Sequence, residues 1–221
     1  MLMKKITLLV LFLLAGFTSM AQVEIGLMVS PTISSPRFIA EDKYNFKNEG
    51  GKLGLGVGVI ADYFFAQNYA FSTGLIYRSE GGELSYRSTD ESGNPIRPQD
   101  DNSIQYIELP VTLKLFTNEV TPGTILYFQV GGSLNTKVSA NVNNEKVING
   151  EKVMKRFSIF EADATLGGGA EFQMGESTKI FAGITYHRGL SNIDDYYRDV
   201  LADKNISIKN NSFSLDVGVK F

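Results

Sequence analysis

Eight segments of the chain alternate apolar and polar residues with a period of two, and this pattern constrains the fold more than any other feature. Successive side chains of an extended strand point to opposite faces, so the pattern predicts β-strands. In the last segment, NNSFSLDVGVKF, one face carries only apolar residues from Phe213 to Phe221, and the other carries Ser, Asp, Gly and Lys. The predicted strands are roughly residues 23–30, 52–63, 69–80, 103–116, 124–135, 160–172, 178–190 and 212–221.

The connections between these strands alternate strictly between long and short. The long connections are residues 31–51, 81–102, 136–159 and 191–211, and the short ones are 64–68, 117–123 and 173–177. Bacterial outer-membrane barrels have short periplasmic turns, long external loops and an even number of strands. The sequence therefore predicts an all-β fold, an eight-stranded antiparallel up-and-down transmembrane β-barrel with both termini in the periplasm.

The polar face of each strand is predicted to line the barrel lumen. It carries many glycines, which weaken a solvent-exposed strand but leave room for large side chains in a crowded interior. Its charges have both signs, so they are able to pair with one another across the lumen. The charged residues on this face are Glu24, Asp62, Arg78, Glu108, Lys114, Glu161, Asp163, Glu171, Asp216 and Lys220.

Aromatic residues on the apolar face form two bands, as in the aromatic girdles at the two bilayer interfaces. One band lies at the short-turn ends of the strands and the other toward the long-loop ends. The first contains Tyr63, Tyr69, Phe172 and Phe221, and the second Tyr77, Tyr186 and Phe213. The alternative is a soluble, lipocalin-like barrel whose apolar face encloses a ligand cavity, and membrane fractionation separates the two.

The N-terminal segment resembles a secretory signal peptide. Lys4 and Lys5 precede an apolar run from Ile6 to Phe17, which is too short for a spanning helix, and small residues follow at 19 and 21. We expect residues 1–21 to be removed and residues 22–221 to form one outer-membrane barrel domain. That segment has 19 basic and 24 acidic residues, a net charge of −5, and no cysteine. Its charge does not suggest binding to nucleic acid.

Several motifs resemble the outer-membrane β-barrel (PorT-like) proteins common in Bacteroidetes. They are QVEIGLMVS, FSTGLIYRSEGGE, IQYIELPVTLKLF, ILYFQVGGSLN, EADATLGGGAEF, ITYHRGLSNI and SFSLDVGVKF, which together span nearly all of residues 22–221. The resemblance implies the barrel fold and an outer-membrane location. Its motifs are structural, so it implies no particular activity, and the secretion role of one family member is not transferred to this chain.

No set of residues in the sequence specifies a catalytic, cofactor or metal site, and we expect none. The single histidine, His187, is predicted to lie on the lumen side of the seventh strand, toward its long-loop end. The alternative is a lipid-modifying hydrolase or acyltransferase that uses His187 with Ser191, Asp194 and Asp195 as its partners. The His-x-Ser pair of deacylase barrels is missing, since Gly189 stands at that position. Two acidic groups offer oxygen ligands for calcium but lack the spacing of a dedicated loop. They are Asp100–Asp101 and Asp194, Asp195, Asp199 and Asp203.

The predicted function is therefore a structural or interaction role, carried by the extracellular loops or by contacts with partners. We expect the barrel to be monomeric and to contact outer-membrane lipid and lipopolysaccharide, with loop cations near lipid phosphates as one possibility. Those cations are Lys137, Lys146, Lys152, Lys155 and Arg156. The final strand, which ends on Phe221, resembles the signal read by the outer-membrane assembly machinery. A further protein partner is expected but has no sequence signature.

Overall fold

The computed structural model describes residues 22–90, 92–148 and 150–221. The predicted signal peptide, residues 1–21, lies outside the described residues. Eight long strands account for most of the described chain. They are β1 (Gln22–Ile39), β2 (Lys47–Ala66), β3 (Tyr69–Ser85), β4 (Gln99–Phe116), β5 (Thr124–Val142), β6 (Phe160–Gln173), β7 (Lys179–Gly189) and β8 (Ser207–Lys220).

The strands form a closed antiparallel barrel in which each strand pairs with its neighbours in sequence. The last strand closes the barrel against the first, with Lys220 opposite Gly26 and Ser207 opposite Ile39. Just beyond this ladder the Phe221 amide donates to the Ile25 carbonyl at 2.9 Å, and the Ile25 amide donates back at 3.3 Å. These observations confirm the predicted fold class, the strand number and the up-and-down order.

The two faces of the wall have the polarity of a membrane barrel. Apolar side chains such as Leu27, Leu75 and Leu215 point outward and are half exposed or more. All ten charged residues predicted to face the lumen are buried, with at most 6% of their surface exposed. The predicted girdle residues also point outward, among them Tyr69, Tyr77 and Phe213. The expected arrangement of faces is confirmed, because a soluble barrel would have the opposite one.

The predicted boundaries of the long loops are wrong, because the strands continue well beyond the membrane zone. The true connections are residues 40–46, 86–98, 143–159 and 190–206. In the strand extensions the apolar residues change face. Leu84, Ile104 and Ile208 point inward and are buried, whereas their outward neighbours are polar. The alternation persists but its apolar face switches, so a search for a continuous lipid-facing stripe ends six of the strands too early; the predicted cap-side ends of β6 and β7 are correct to within one residue.

These strand extensions and the four long connections fold into a compact layer at one end of the barrel, which we call the cap. It contains two small hairpins, two 3₁₀ turns (Asp42–Tyr44 and Val153–Arg156) and a short helix, α1 (Tyr196–Val200). No helix of the described residues is both long and apolar enough to cross a bilayer. The cap has its own hydrophobic core, formed by Leu84, Tyr86, Ile104, Tyr106, Ala140, Val142, Val153, Phe157, Ile193, Tyr197, Ile206 and Ile208.

Candidate functional site

The short-turn end of the lumen is closed by a cluster of three lysines and three carboxylates, each from a different strand. Lys220 on β8 binds Asp62 at 2.5 Å and also contacts Glu171, and Lys114 binds Asp62 at 3.1 Å. At the rim, Lys179 binds Glu24 at 2.5 Å and lies 3.9 Å from Glu171. The charges cancel within the cluster, which reduces the cost of burying them and links six strands across the interior.

The middle of the lumen holds an excess of carboxylates around one arginine. The Arg78 guanidinium lies 2.8 Å from Glu108 and 3.6 Å from Glu80. Asp216 accepts hydrogen bonds from Ser30 and Thr185, both at 2.5 Å. Asp163 and Glu161 are also buried here, on β6. Hydroxyl and amide donors bind Asp216, Asp163 and Glu80, so these carboxylates form a structural polar network around Arg78.

Large side chains fill the space that the polar groups leave. Met28, Ile60, Ile76 and Phe181 form a small apolar cluster within the lumen. Tyr127 packs against glycines on β6 and β7. A Cβ added at Gly169 would lie 2.7 Å from the Tyr127 hydroxyl, and one added at Gly183 would lie only 2.2 Å from it. The prediction that glycines make room for bulky lumen residues is therefore confirmed at Gly169. A cavity of only about 40 Å³ is found beside these residues.

His187 lies in the lumen, as predicted, but the structure does not bring it together with its proposed partners. Its ring is buried, and neither ring nitrogen has a hydrogen-bond partner among the described residues. The Ser191 hydroxyl instead accepts a hydrogen bond from the Ala162 amide at 2.9 Å, and Asp194 accepts one from the Tyr196 amide at 2.8 Å. A nucleophile, base and orienting acid must be in hydrogen-bond reach of one another, and these residues are not.

The acidic loop groups do not form a cation site in the part of the chain that is described. Asp100 accepts from Tyr197 and Arg156, and Asp101 pairs with Lys52 at 2.5 Å. In the second group, Asp195 pairs with Arg198 at 3.0 Å. Within residues 22–90, 92–148 and 150–221, no three His, Cys, Asp or Glu side chains are placed to hold a metal ion.

The cap carries a layered aromatic and charged arrangement that the sequence did not predict. The Tyr197 hydroxyl donates to Asp100 at 2.5 Å, and the Arg156 guanidinium stacks 3.6 Å from the ring centre of Tyr196. Tyr86 packs edge-on against Tyr197, with ring centres 5.1 Å apart. Because these residues come from three loops and the start of β4, only their meeting in space reveals the arrangement. Burial raises the pKa of Tyr197 well above its usual value, so its hydroxyl remains a donor.

Openings reach the surface at both ends of the barrel. At the cap, a groove of about 390 Å³ lies between the loop after β5 and helix α1. Its lining includes Lys152, Lys155, Arg156, Tyr196 and Asp199. At the short-turn end, a vestibule of about 760 Å³ reaches inward as far as Glu171 and Lys179. The vestibule therefore ends at the buried ion pairs, and the groove is the better candidate for contact with a partner.

Comparison with known proteins agrees with the geometry. A family model of the outer membrane protein β-barrel domain matches residues 18–195. Among solved structures, neisserial surface protein A (NspA) matches with a TM-score of 0.50 and 13% identity, covering 91% of this chain and 98% of its own. OprG from Pseudomonas aeruginosa matches with a TM-score of 0.50 and 12% identity, covering 90% and 95%. No curated protein matches the chain. At these identities the structural matches establish the fold alone.

Proposed function

The chain belongs to the outer membrane β-barrel domain family and is a small eight-stranded barrel of the outer membrane, and from this premise we propose that it is a non-enzymatic interaction protein. The cap carries the function, and the lumen is a structural core. The cap faces the cell exterior, and both chain termini lie in the periplasm. Residues 1–21 are the cleaved signal peptide of a single barrel domain, residues 22–221.

The observation that carries this proposal is the contrast between the two halves of the interior. The membrane half is filled by paired charges and bulky side chains, so it offers neither a passage nor room for a substrate. The other half is a folded layer with its own apolar core, which holds the loops in a fixed arrangement. Ordered loops present a preformed surface, and binding to such a surface loses less conformational entropy.

Several contacts follow from this role. The barrel wall lies in outer-membrane lipid and touches lipopolysaccharide, and the assembly machinery recognises the last strand through residues 212–221. A protein partner binds the cap, whose groove combines lysines with carboxylates and aromatic rings. Neither the net charge of −5 nor the mixed signs of the groove suits nucleic acid. A monomeric state is supported by the closed wall, which needs no strand from a second copy to complete it.

Within the wider family, we place the chain in the PorT-like group of Bacteroidetes. The support is the set of motifs that fall on the strands described above, such as IQYIELPVTLKLF on β4 and SFSLDVGVKF on β8. These motifs shape the wall and the lumen, and they carry no catalytic residue. Their value for function is therefore limited to the architecture that they share.

Site-specific photocrosslinking in living cells tests where the partner binds. A photoreactive residue replaces Glu151, which is exposed at the groove, or Gln67, which is exposed at a short turn, as the matched control. We expect a discrete adduct from position 151 and none from position 67. Adducts from position 67 alone would move the functional surface to the periplasmic end.

A lipid analysis tests the enzymatic alternative. His187→Gln keeps a polar side chain of similar size in the lumen while removing the imidazole. The comparison includes cells that lack the protein. We expect the lipid A composition to be the same in wild-type cells, in His187→Gln cells and in cells without the protein. A lipid A species that requires both the protein and His187 would establish the hydrolase or acyltransferase instead.

A further inference from the structure

Three basic side chains converge on the outer surface of the wall, at the cap end of β7, β8 and β1. Arg37 on β1 lies directly opposite Lys209 on β8. Arg188 on β7 lies opposite Asn211, which is two residues from Lys209 on the same face of β8. We call Arg37, Arg188 and Lys209 the wall cluster. By contrast, Arg78, Lys114, Lys179 and Lys220 point into the lumen and form ion pairs with carboxylates there.

Hydrogen bonds to the end of β7 hold two of these side chains in place. Arg37 Nη2 donates to the Gly189 carbonyl at 2.9 Å, and Lys209 Nζ donates to the Leu190 carbonyl at 2.5 Å. These carbonyls belong to the two residues that follow Arg188, so Arg37 and Lys209 bind the chain next to Arg188, which is exposed on the same outer face. Arg37 Nε is buried without a hydrogen-bond partner among the described residues. In that part of the chain no carboxylate forms an ion pair with any member of the wall cluster.

The wall cluster lies at the depth of lipid headgroups. Immediately below it, toward the membrane, Tyr186 and Phe213 pack together on the outer face with ring centres 4.7 Å apart. Aromatic pairs of this kind mark the bilayer interface. Arg188 follows Tyr186 by two residues, which corresponds to about 7 Å along a strand. The polar headgroup layer is of similar thickness, roughly 5–8 Å on each side of the hydrocarbon core.

We propose that the wall cluster binds a phosphate group of lipid A in the outer leaflet. A guanidinium group matches phosphate in charge and in its paired donors, and a lysine adds a third positive charge. Because the barrel domain as a whole is acidic, general attraction to an anionic membrane does not explain three cations without carboxylate partners on neighbouring positions of three adjacent strands. This inference rests on the proposed outward orientation of the cap, since only then does the cluster face the lipopolysaccharide leaflet.

The loop lysines considered from the sequence are weaker candidates for this contact. Lys146, Lys152 and Lys155 are exposed on the loop after β5, away from the lipid-facing wall. Lys152 and Lys155 share a groove with Glu151 and two aspartates, which reduces its attraction for anions. These three lysines therefore supply a control of equal charge change.

The test measures lipid A binding to the purified, refolded barrel in neutral detergent. Three proteins are compared: wild type, Arg37→Gln/Arg188→Gln/Lys209→Gln, and Lys146→Gln/Lys152→Gln/Lys155→Gln. Each cation near an anionic headgroup contributes about fivefold, so the wall variant is expected to lose roughly 100-fold in affinity at low salt. We expect the loop variant to bind as wild type does. Lipid A without phosphates is expected to bind both wild type and the wall variant equally weakly.

Wild-type affinity in the wall variant overturns the proposal, whether or not the loop variant loses binding. Equal binding of phosphatidylglycerol through the same residues would show a general anionic-lipid site and refute the assignment to lipid A. Heat-modifiable gel mobility checks the folding of each variant. If the triple wall variant does not fold, Arg188→Gln alone replaces it, with an expected fivefold loss of affinity. Purified protein in detergent has no fixed orientation relative to a membrane. The binding result can therefore be interpreted even if the orientation test in cells fails.

Discussion

Arginine at Val217 should strongly impair folding of the barrel in a membrane. Val217 points outward from β8 and is 41% exposed. It lies four residues from each of the outward rings Phe213 and Phe221, or about 13 Å along the strand in either direction. It therefore lies near the bilayer midplane, where an outward arginine costs about 2–4 kcal/mol. That cost corresponds to roughly a 30- to 1000-fold change in the folding equilibrium.

The neighbouring substitution Asp216→Asn is the control, because residue 216 points into the lumen. Asparagine keeps one oxygen for the two hydroxyls that Asp216 binds, so we expect a cost of about 1 kcal/mol. The assay is urea titration of refolded protein in lipid vesicles, together with the amount of heat-modifiable protein in the outer membrane. Normal assembly of Val217→Arg with failure of Asp216→Asn would refute the assignment of the two faces.

Three further predictions concern the barrel seam, the cap and the lumen. Deleting Phe221 removes a pair of backbone hydrogen bonds to Ile25 as well as an outward ring, so it should reduce assembly more than Phe221→Ala; equal amounts of folded protein would contradict this. Burial raises the pKa of Asp194 to about 7 from an ordinary 3.8, so ionisation opposes folding of the cap. Cap stability should fall by at most about 4 kcal/mol as the pH rises from 4 to 7, and hydrogen exchange should show no such fall in Asp194→Asn. Because eight strands enclose only side chains, pure protein should show no stable single-channel steps, and reproducible steps would refute the closed lumen.

The membrane half of the molecule was predictable because one physical rule governs all eight strands there. Lipid requires an apolar outer face, and a closed barrel requires every strand edge to be paired. A period of two in a single sequence therefore identifies both the strands and their faces, as at Leu215 and Asp216. The same rule places the charged residues inside, where they pair across strands that are distant in sequence, such as Asp62 with Lys220.

The cap was not predictable, because its order depends on contacts between separate loops. Inward Leu84, Ile104 and Ile208 belong to the same alternation as the lumen residues below them, but their apolar character reverses the pattern. No local signal shows that Tyr197 meets Asp100 at the start of β4. The wall cluster also depends on register, which a single sequence does not give. His187 shows the same limit, since its place in the lumen was predicted but the partners considered for it, Ser191, Asp194 and Asp195, bind other groups.

Cysteine accessibility on intact cells tests the central claim, a closed outer-membrane barrel whose cap faces the cell exterior. The chain has no cysteine, so single substitutions label without background. Gly150 in the cap and Gly175 in a short turn are both open sites, since a Cβ at either position meets nothing within 4 Å; Gly150 has a φ of 81°, so folding of Gly150→Cys is checked by heat-modifiable gel mobility. With a membrane-impermeant maleimide we predict labelling of Gly150→Cys and not of Gly175→Cys, and labelling of both once the outer membrane is permeabilised. Labelling of Gly175→Cys alone on intact cells would contradict the account.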